Sequence, residues 1–307
     1  LYIRLFIKSG RVKSQPLYFN KTRIAPTPSG FLHVGNILSF AITAALACMH
    51  GAKILLRIDD LDRARFTPEY LTDIFDTLRF LEIPWDEGPR DADEFERAFS
   101  QLHRMPLYTA ALDELKNKLA VFACTCSRKQ LLENGTCNCI NKKIPLDTPE
   151  ASWRLYTDGN PIKVKTYAGE TISTELPAGM RNFVVRKKDG FPAYQLTSLI
   201  DDLFYGTDLI VRGEDLWRST LAQLALAKTL GKHTFEDTVF YHHPLLLEPS
   251  GLKLSKSAGS TSVRFMRANS ISRSDLFKQI AGLAGINFQA ENWQQLGARL
   301  IRMHQSS

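Results

Sequence analysis

Residues 22–36 read Thr22-Arg23-Ile24-Ala25-Pro26-Thr27-Pro28-Ser29-Gly30-Phe31-Leu32-His33-Val34-Gly35-Asn36. Residues 23–25 form a short strand that ends at a Pro-rich turn. Pro26 and Pro28 stiffen that turn, and Gly30 and Gly35 let the backbone approach a ligand closely. Apolar residues then recur at helical spacing over 36–49 and stop at His50-Gly51. The stretch is therefore a strand, a stiff turn and the start of a helix. His33 stands just before the helix, where unpaired N–H groups and a partial positive charge suit a phosphate.

Outward from this turn, strands and helices alternate, which argues for an α/β layer architecture with a parallel sheet. Residues 52–58 are a buried strand. Thr67-Pro68-Glu69 is an N-cap with Pro in the first turn, opening a helix to about Glu82. Residues 94–118 read as one long helix, broken near Pro106. Residues 1–20 are expected to be a poorly structured lead, and 21–119 the first half of a nucleotide-binding domain. Residues 120–180 are rich in turns and lack a long periodic helix, as an inserted domain would. Over 181–260 the sheet is expected to resume: a strand at 182–187, a tight turn at Asp189-Gly190, a helix at 194–203, a strand at 208–212, a helix at 216–230 and a strand at 239–247. Residues 261–307 hold short amphipathic helices, such as 274–283.

The chain has 307 residues, 44% hydrophobic and 23% charged, ordinary for a globular protein. Its longest apolar stretch, 37–49, is too short to span a bilayer. The first residues lack the h-region and cleavage site of a signal peptide, so a cytoplasmic location is expected. The net charge of +7 fits a polyanionic partner, and fits a solubility feature equally well. Lys142-Lys143 and Arg186-Lys187-Lys188 are candidate contacts for RNA.

Four of five cysteines form Cys124-Thr125-Cys126 and Cys137-Asn138-Cys139. Four thiolates so spaced point to a tetrahedral structural zinc. Disulfides are the competing reading, disfavoured where no export signal is found. Cys48, on an apolar helix face, is expected to be a buried small residue.

About 220 residues after His33-Val34-Gly35-Asn36 comes Leu252-Lys253-Leu254-Ser255-Lys256-Ser257. In this order the two resemble the HIGH and KMSKS signatures of class I aminoacyl-tRNA synthetases. Residues 22–36, and Leu56-Arg57-Ile58-Asp59-Asp60-Leu61-Asp62, are similar to the glutamyl-tRNA synthetase branch, nearest its short glutamyl-Q tRNA(Asp) members. The resemblance covers roughly residues 20–260. It implies a doubly wound, Rossmann-like catalytic domain with a zinc-binding insert.

It further implies ATP bound with Mg²⁺ at His33, Gly35, Asn36, Lys253 and Lys256, with His33, Lys253 and Lys256 catalytic. Lys256 matches the second Lys of KMSKS. L-glutamate would be held by Arg23, Thr27, Asp59, Tyr194 and Arg212. An acidic side chain calls for the planar fork of Arg, and Arg23 and Arg212 end expected strands. The branch more often has Ser where Thr27 stands and Glu where Asp59 stands. Many glutamyl-Q members hold zinc with three Cys and a Tyr; here Cys124, Cys126, Cys137 and Cys139 make a set of four. Full-length members continue past the Lys loop into an anticodon-reading half, whereas 50 residues follow Ser257. The expectation is thus a monomer that activates glutamate and places it on queuosine in the anticodon loop of tRNA(Asp). A truncated glutamyl-tRNA synthetase charging a 3′ end, and a silent ATP- or amino-acid-binding paralogue, are the alternatives.

Overall fold

A computed structural model describes residues 18–127, 129–131, 137–246 and 262–305. Among them the strands are β1 (Lys21–Ile24), β2 (Lys53–Leu56), β3 (Val121–Cys124), β4 (Ser152–Leu155), β5 (Ile162–Thr166), β6 (Thr171–Thr174), β7 (Val184–Arg186), β8 (Leu209–Gly213) and β9 (Val239–His243). The main helices are α1 (Val34–His50), α2 (Pro68–Phe80), α3 (Met105–Asn117), α4 (Tyr194–Phe204), α5 (Trp217–Leu230), α6 (Val263–Ala268), α7 (Arg273–Leu283) and α8 (Trp293–Gln305).

The main sheet runs β2-β1-β8-β9-β5-β6, and every pairing in it is parallel except β5 with β6. From β1 the chain winds outward to β2. From β8 it winds the other way to β9. The strand order therefore reverses between β1 and β8, the place where an open α/β sheet leaves a crevice at its carboxyl edge. Side chains alternate across the sheet. Leu209, Val211 and Tyr241 enter the core formed with α1, α2, α7 and α8, while Ile210 and Phe240 enter the core formed with α3, α4 and α5.

Local signals explain the helix bounds. Gly51 closes α1 in the left-handed region at φ 66°, and the Thr67 hydroxyl accepts from the Tyr70 N–H to start α2. Gly297 lets α8 lie against α1: a Cβ there would stand 2.5 Å from that of Ala45. Cys48 is exposed rather than buried, because it falls in the last turn of α1, beyond Ala47, the last buried residue of the helix.

The single helix expected over 94–118 is three pieces. A π-helical turn at Phe95–Phe99 and a 3₁₀ turn at Gln101–Arg104 precede α3. The break lies at Ser100, whose hydroxyl and the next N–H both turn inward onto the Asp60 carboxylate, at 2.6 and 2.8 Å. Pro106 sits in the first turn of α3, where its missing N–H costs nothing.

The region expected as an insert divides. β3, β4 and β7 form a separate antiparallel sheet, so the strand expected at 182–187 does not resume the main one. The β5–β6 hairpin instead extends the main sheet, β5 lying parallel to β9. Strand β9 stops at His243, since Pro244 cannot continue the ladder.

Candidate active site

A cleft of about 430 Å³ opens at the β1–β8 switch point. Arg23, Thr27, His33, Gly35, Asn36, Asp59, Tyr194 and Arg212 all line it, although they span residues 23 to 212. Lys253 and Lys256 lie outside the described residues.

The start of α1 is capped from within. His33 Nδ1 accepts from Gly35 N–H at 3.1 Å, and Asn36 Oδ1 accepts from His33 N–H at 3.1 Å. These are the two halves of a capping box. The unpaired N–H groups expected here are thus partly satisfied by the motif itself, while the positive end of the helix still faces the cleft. With Nδ1 accepting, a neutral His33 ring carries its proton on Nε2.

The amino-acid side of the cleft is a buried ionic cluster. Arg23 Nε donates to Asp202 Oδ1 at 2.9 Å, and Arg57 Nη1 donates to the same oxygen at 2.8 Å. Arg57 also grips Asp59 with two bonds, at 2.8 and 3.0 Å. Burial works against the Asp202 carboxylate, but Arg57, Arg23 and Arg212 outweigh it and hold its pKa below the usual range. Burial raises the Asp59 carboxyl, with Arg57 opposing.

Arg212 is different. It is 3% exposed, and Nη1 donates to Gln223 Oε1 at 3.0 Å and Thr220 Oγ1 at 3.3 Å. Its Nε and Nη2 meet no hydrogen-bond partner among the described residues, although the guanidinium lies over the Phe240 ring at 5.6 Å. Desolvation pulls its pKa down to about 10. Three guanidiniums against two carboxylates leave one positive charge, with two unsatisfied N–H donor groups on the cleft wall. A buried cation of this kind is costly unless a ligand completes it.

A second depression of about 490 Å³ shares Thr27, Asp59 and Tyr194 with the first and continues to Asp62, Arg65, Lys187 and Asp189. Sequence reasoning assigned no role to Arg57 or Asp202. The available signal was the tandem Asp201-Asp202 on the apolar face of a helix. The pair splits: Asp201 receives Arg104, Tyr108 and Gln101, while Asp202 receives Arg23 and Arg57.

The four cysteines meet at the edge of the small sheet. Sulfur separations are 3.3 Å (Cys124–Cys137), 3.5 Å (Cys126–Cys139) and 3.9 Å (Cys126–Cys137), and all four Sγ lie within 4.8 Å of one another. A disulfide needs about 2.0 Å. Tetrahedral thiolates about 2.3 Å from a common ion stand about 3.8 Å apart, so the set fits a metal ion.

A parallel sheet with its crevice at the switch point, a His-capped helix at one wall and an arginine-rich pocket at the other defines a class I synthetase type of catalytic domain. The family model of "tRNA synthetases class I (E and Q), catalytic domain" matches residues 20–144 and 169–296, and the chain belongs to that family of enzymes. It is 35% identical over 298 residues to a glutamyl-Q tRNA(Asp) synthetase of Symbiobacterium thermophilum, covering 88% of each chain. It is 31% identical over 279 residues to a glutamate–tRNA ligase 2 of Syntrophus aciditrophicus, covering 85% of this chain and 56% of that protein. The fold resembles that of the glutamate-tRNA synthetase from Elizabethkingia anophelis, with TM-score 0.70 and 19% identity, covering 91% of this chain and 65% of that one.

Proposed function

We propose that this chain joins L-glutamate to AMP at the expense of ATP and passes the glutamyl group to queuosine in the anticodon loop of tRNA(Asp). The observation that carries the amino-acid assignment is Arg212, a buried guanidinium with two unpartnered N–H groups in a cluster of net charge +1. A ligand of net charge −1 neutralises that cluster. Glutamate has this charge and glutamine does not. The side-chain carboxylate meets Arg212, with Arg23 and Tyr194 beside it. The ammonium turns to Asp59, whose oxygens retain acceptor capacity beyond the two Arg57 bonds.

The α-carboxylate attacks the α-phosphorus of ATP in line, and pyrophosphate leaves. Charge builds on the phosphoryl oxygens, next to His33 and the positive end of α1. Lys253 and Lys256 are the cations that meet this charge in the transition state. Mg²⁺ accompanies ATP, held mainly by phosphate and water. The metal at Cys124, Cys126, Cys137 and Cys139 is a structural zinc, because four thiolates leave no open position. The second depression, next to the glutamate pocket, receives the acceptor. Arg65 and Lys187 at its rim suit phosphate contacts, which position an RNA but do not specify it. The enzyme works as a monomer in the cytoplasm.

The acceptor assignment is supported by the Symbiobacterium protein, which matches this chain nearly end to end and carries the glutamyl-Q name. The similarity to a glutamate–tRNA ligase 2 favours a second reading, charging of a tRNA 3′ end. Labelled glutamate supplied with tRNA(Asp) from cells with and without queuosine separates the two. Label only on the queuosine-bearing tRNA is expected. Equal label on both, or label at the 3′ adenosine of tRNA(Glu), means a small glutamyl-tRNA synthetase. No glutamate-dependent ATP–pyrophosphate exchange would mean a silent paralogue.

A further inference from the structure

The cleft wall holds a second buried polar group that the reaction above leaves unused. His243 closes β9 beside Gly213 of β8, in parallel register. The alternation along β9 sends Tyr241 to the α1 side of the sheet, and His243, two residues on, takes the same side. There it lines the cleft with Ser39, Gly213, Asp215 and Leu245. The ring is 3% exposed. Nδ1 lies 2.9 Å from the Pro244 carbonyl oxygen, which can only accept, so Nδ1 bears the proton. Burial holds the ring neutral by lowering its pKa, with nearby His304 adding and the Asp215 and Glu214 carboxylates opposing. Nε2 is therefore a lone-pair acceptor, and it has no partner among the described residues.

An acceptor buried without a donor costs free energy, and a neutral one is best matched by a neutral N–H or O–H. If the cleft holds ATP with its phosphates at His33 and α1, the lining left for the nucleoside includes Ser39, Gly213 and Leu245. Its donors are the exocyclic amine and the ribose hydroxyls. The Asp215 carboxylate on the same wall is the stronger acceptor for a hydroxyl, since charge-assisted bonds outcompete neutral ones. We propose that His243 Nε2 accepts a hydrogen bond from the exocyclic amine of the adenine and selects for that base. This rests on the reading of the cleft as the ATP site.

Glutamate-dependent pyrophosphate exchange tests it with ATP, with purine riboside triphosphate (which lacks the amine), and with 2′-deoxy and 3′-deoxy ATP. The wild-type enzyme should show a KM about tenfold higher for purine riboside triphosphate than for ATP, with a smaller change in kcat. In His243→Leu the ratio of the two KM values should fall to near one. His243→Gln, which keeps an acceptor in a similar volume, should restore part of it, and guards against a leucine variant that folds poorly. Wild-type enzyme that treats the two nucleotides alike overturns the proposal without any variant. So does a leucine variant that discriminates as the wild type does, or that loses discrimination against a deoxy analogue instead. Absence of exchange with ATP in the wild type refutes the reading of the cleft as the ATP site, and the proposal with it. Exchange that is indifferent to the amine refutes His243 alone.

Discussion

Replacing Arg212 with Met should separate the affinity of this enzyme from its stability. The substitution keeps length and removes charge. Hydrogen bonds from a guanidinium to a carboxylate contribute about 1.5–3 kcal/mol each. A ligand carboxylate left opposite an apolar side chain, with one buried partner removed, loses about 4 kcal/mol in all. The KM for glutamate should therefore rise about a thousandfold, with a much smaller change in the KM for ATP. Stability without ligand should move the other way. Burial lowers the Arg212 pKa from the usual guanidinium range to about 10. A cation with a depressed pKa costs stability in full below its folded value, and that cost fades as pH rises from there to the unfolded value. At neutral pH the cost is about 3 kcal/mol. Against it stand the bonds to Gln223 and Thr220, about 1 kcal/mol each. The ligand-free variant should thus unfold within about 2 °C of the wild type or slightly above it. Exchange kinetics over a glutamate series and thermal unfolding with and without glutamate read both effects. A variant that loses several kcal/mol without ligand, or whose KM for glutamate stays within threefold of the wild type, would refute the reasoning.

Asp202→Asn leaves Arg23 and Arg57 facing a neutral amide and should cost about 3–5 kcal/mol. Because the Asp202 pKa is lowered in the folded state, its contribution is full above the unfolded value of about 3.9 and fades as pH falls through the folded one. Urea unfolding should show a constant gap between wild type and variant from pH 7 to about 4, narrowing below; a gap already closing at pH 6 would point to another group. Lys256→Ala should remove most pyrophosphate exchange while glutamate binding by calorimetry stays nearly unchanged, since the lysine serves charge that develops only in the transition state. Elemental analysis should find one zinc per chain, and Cys137→Ser should lose it together with hydrogen-exchange protection around β3. A mapped Cys124–Cys137 disulfide in native protein would count against the metal.

The sequence carried a good deal of this. Pro26, Pro28, Gly30 and Gly35 announce a turn between strand and helix because each restricts or frees the backbone locally. Thr67-Pro68 and Gly51 mark helix ends for the same reason. The Cys-x-Cys pairs were legible because thiolate spacing alone limits what they can hold. The long helix over 94–118 misled because nothing local marks Ser100 as a break. The cause is Asp60, 40 residues away in the chain, which draws Ser100 and Gln101 inward. The strand at 182–187 had the right character, but strand character does not reveal which sheet a strand will join.

By itself, then, the sequence determined the alternation of elements, the turn that faces a phosphate and the list of arginines, carboxylates and cysteines that could do chemistry, all of which depend on residues close together along the chain. Only the tertiary structure decided how those charges are shared. Among the described residues Arg23 and Arg57 converge on Asp202, Arg212 is left without a carboxylate, and His243, on the cleft wall, keeps a buried lone pair without a partner. Charge compensation and desolvation depend on distances between residues up to about 190 positions apart, and those distances are set when β8 packs beside β1.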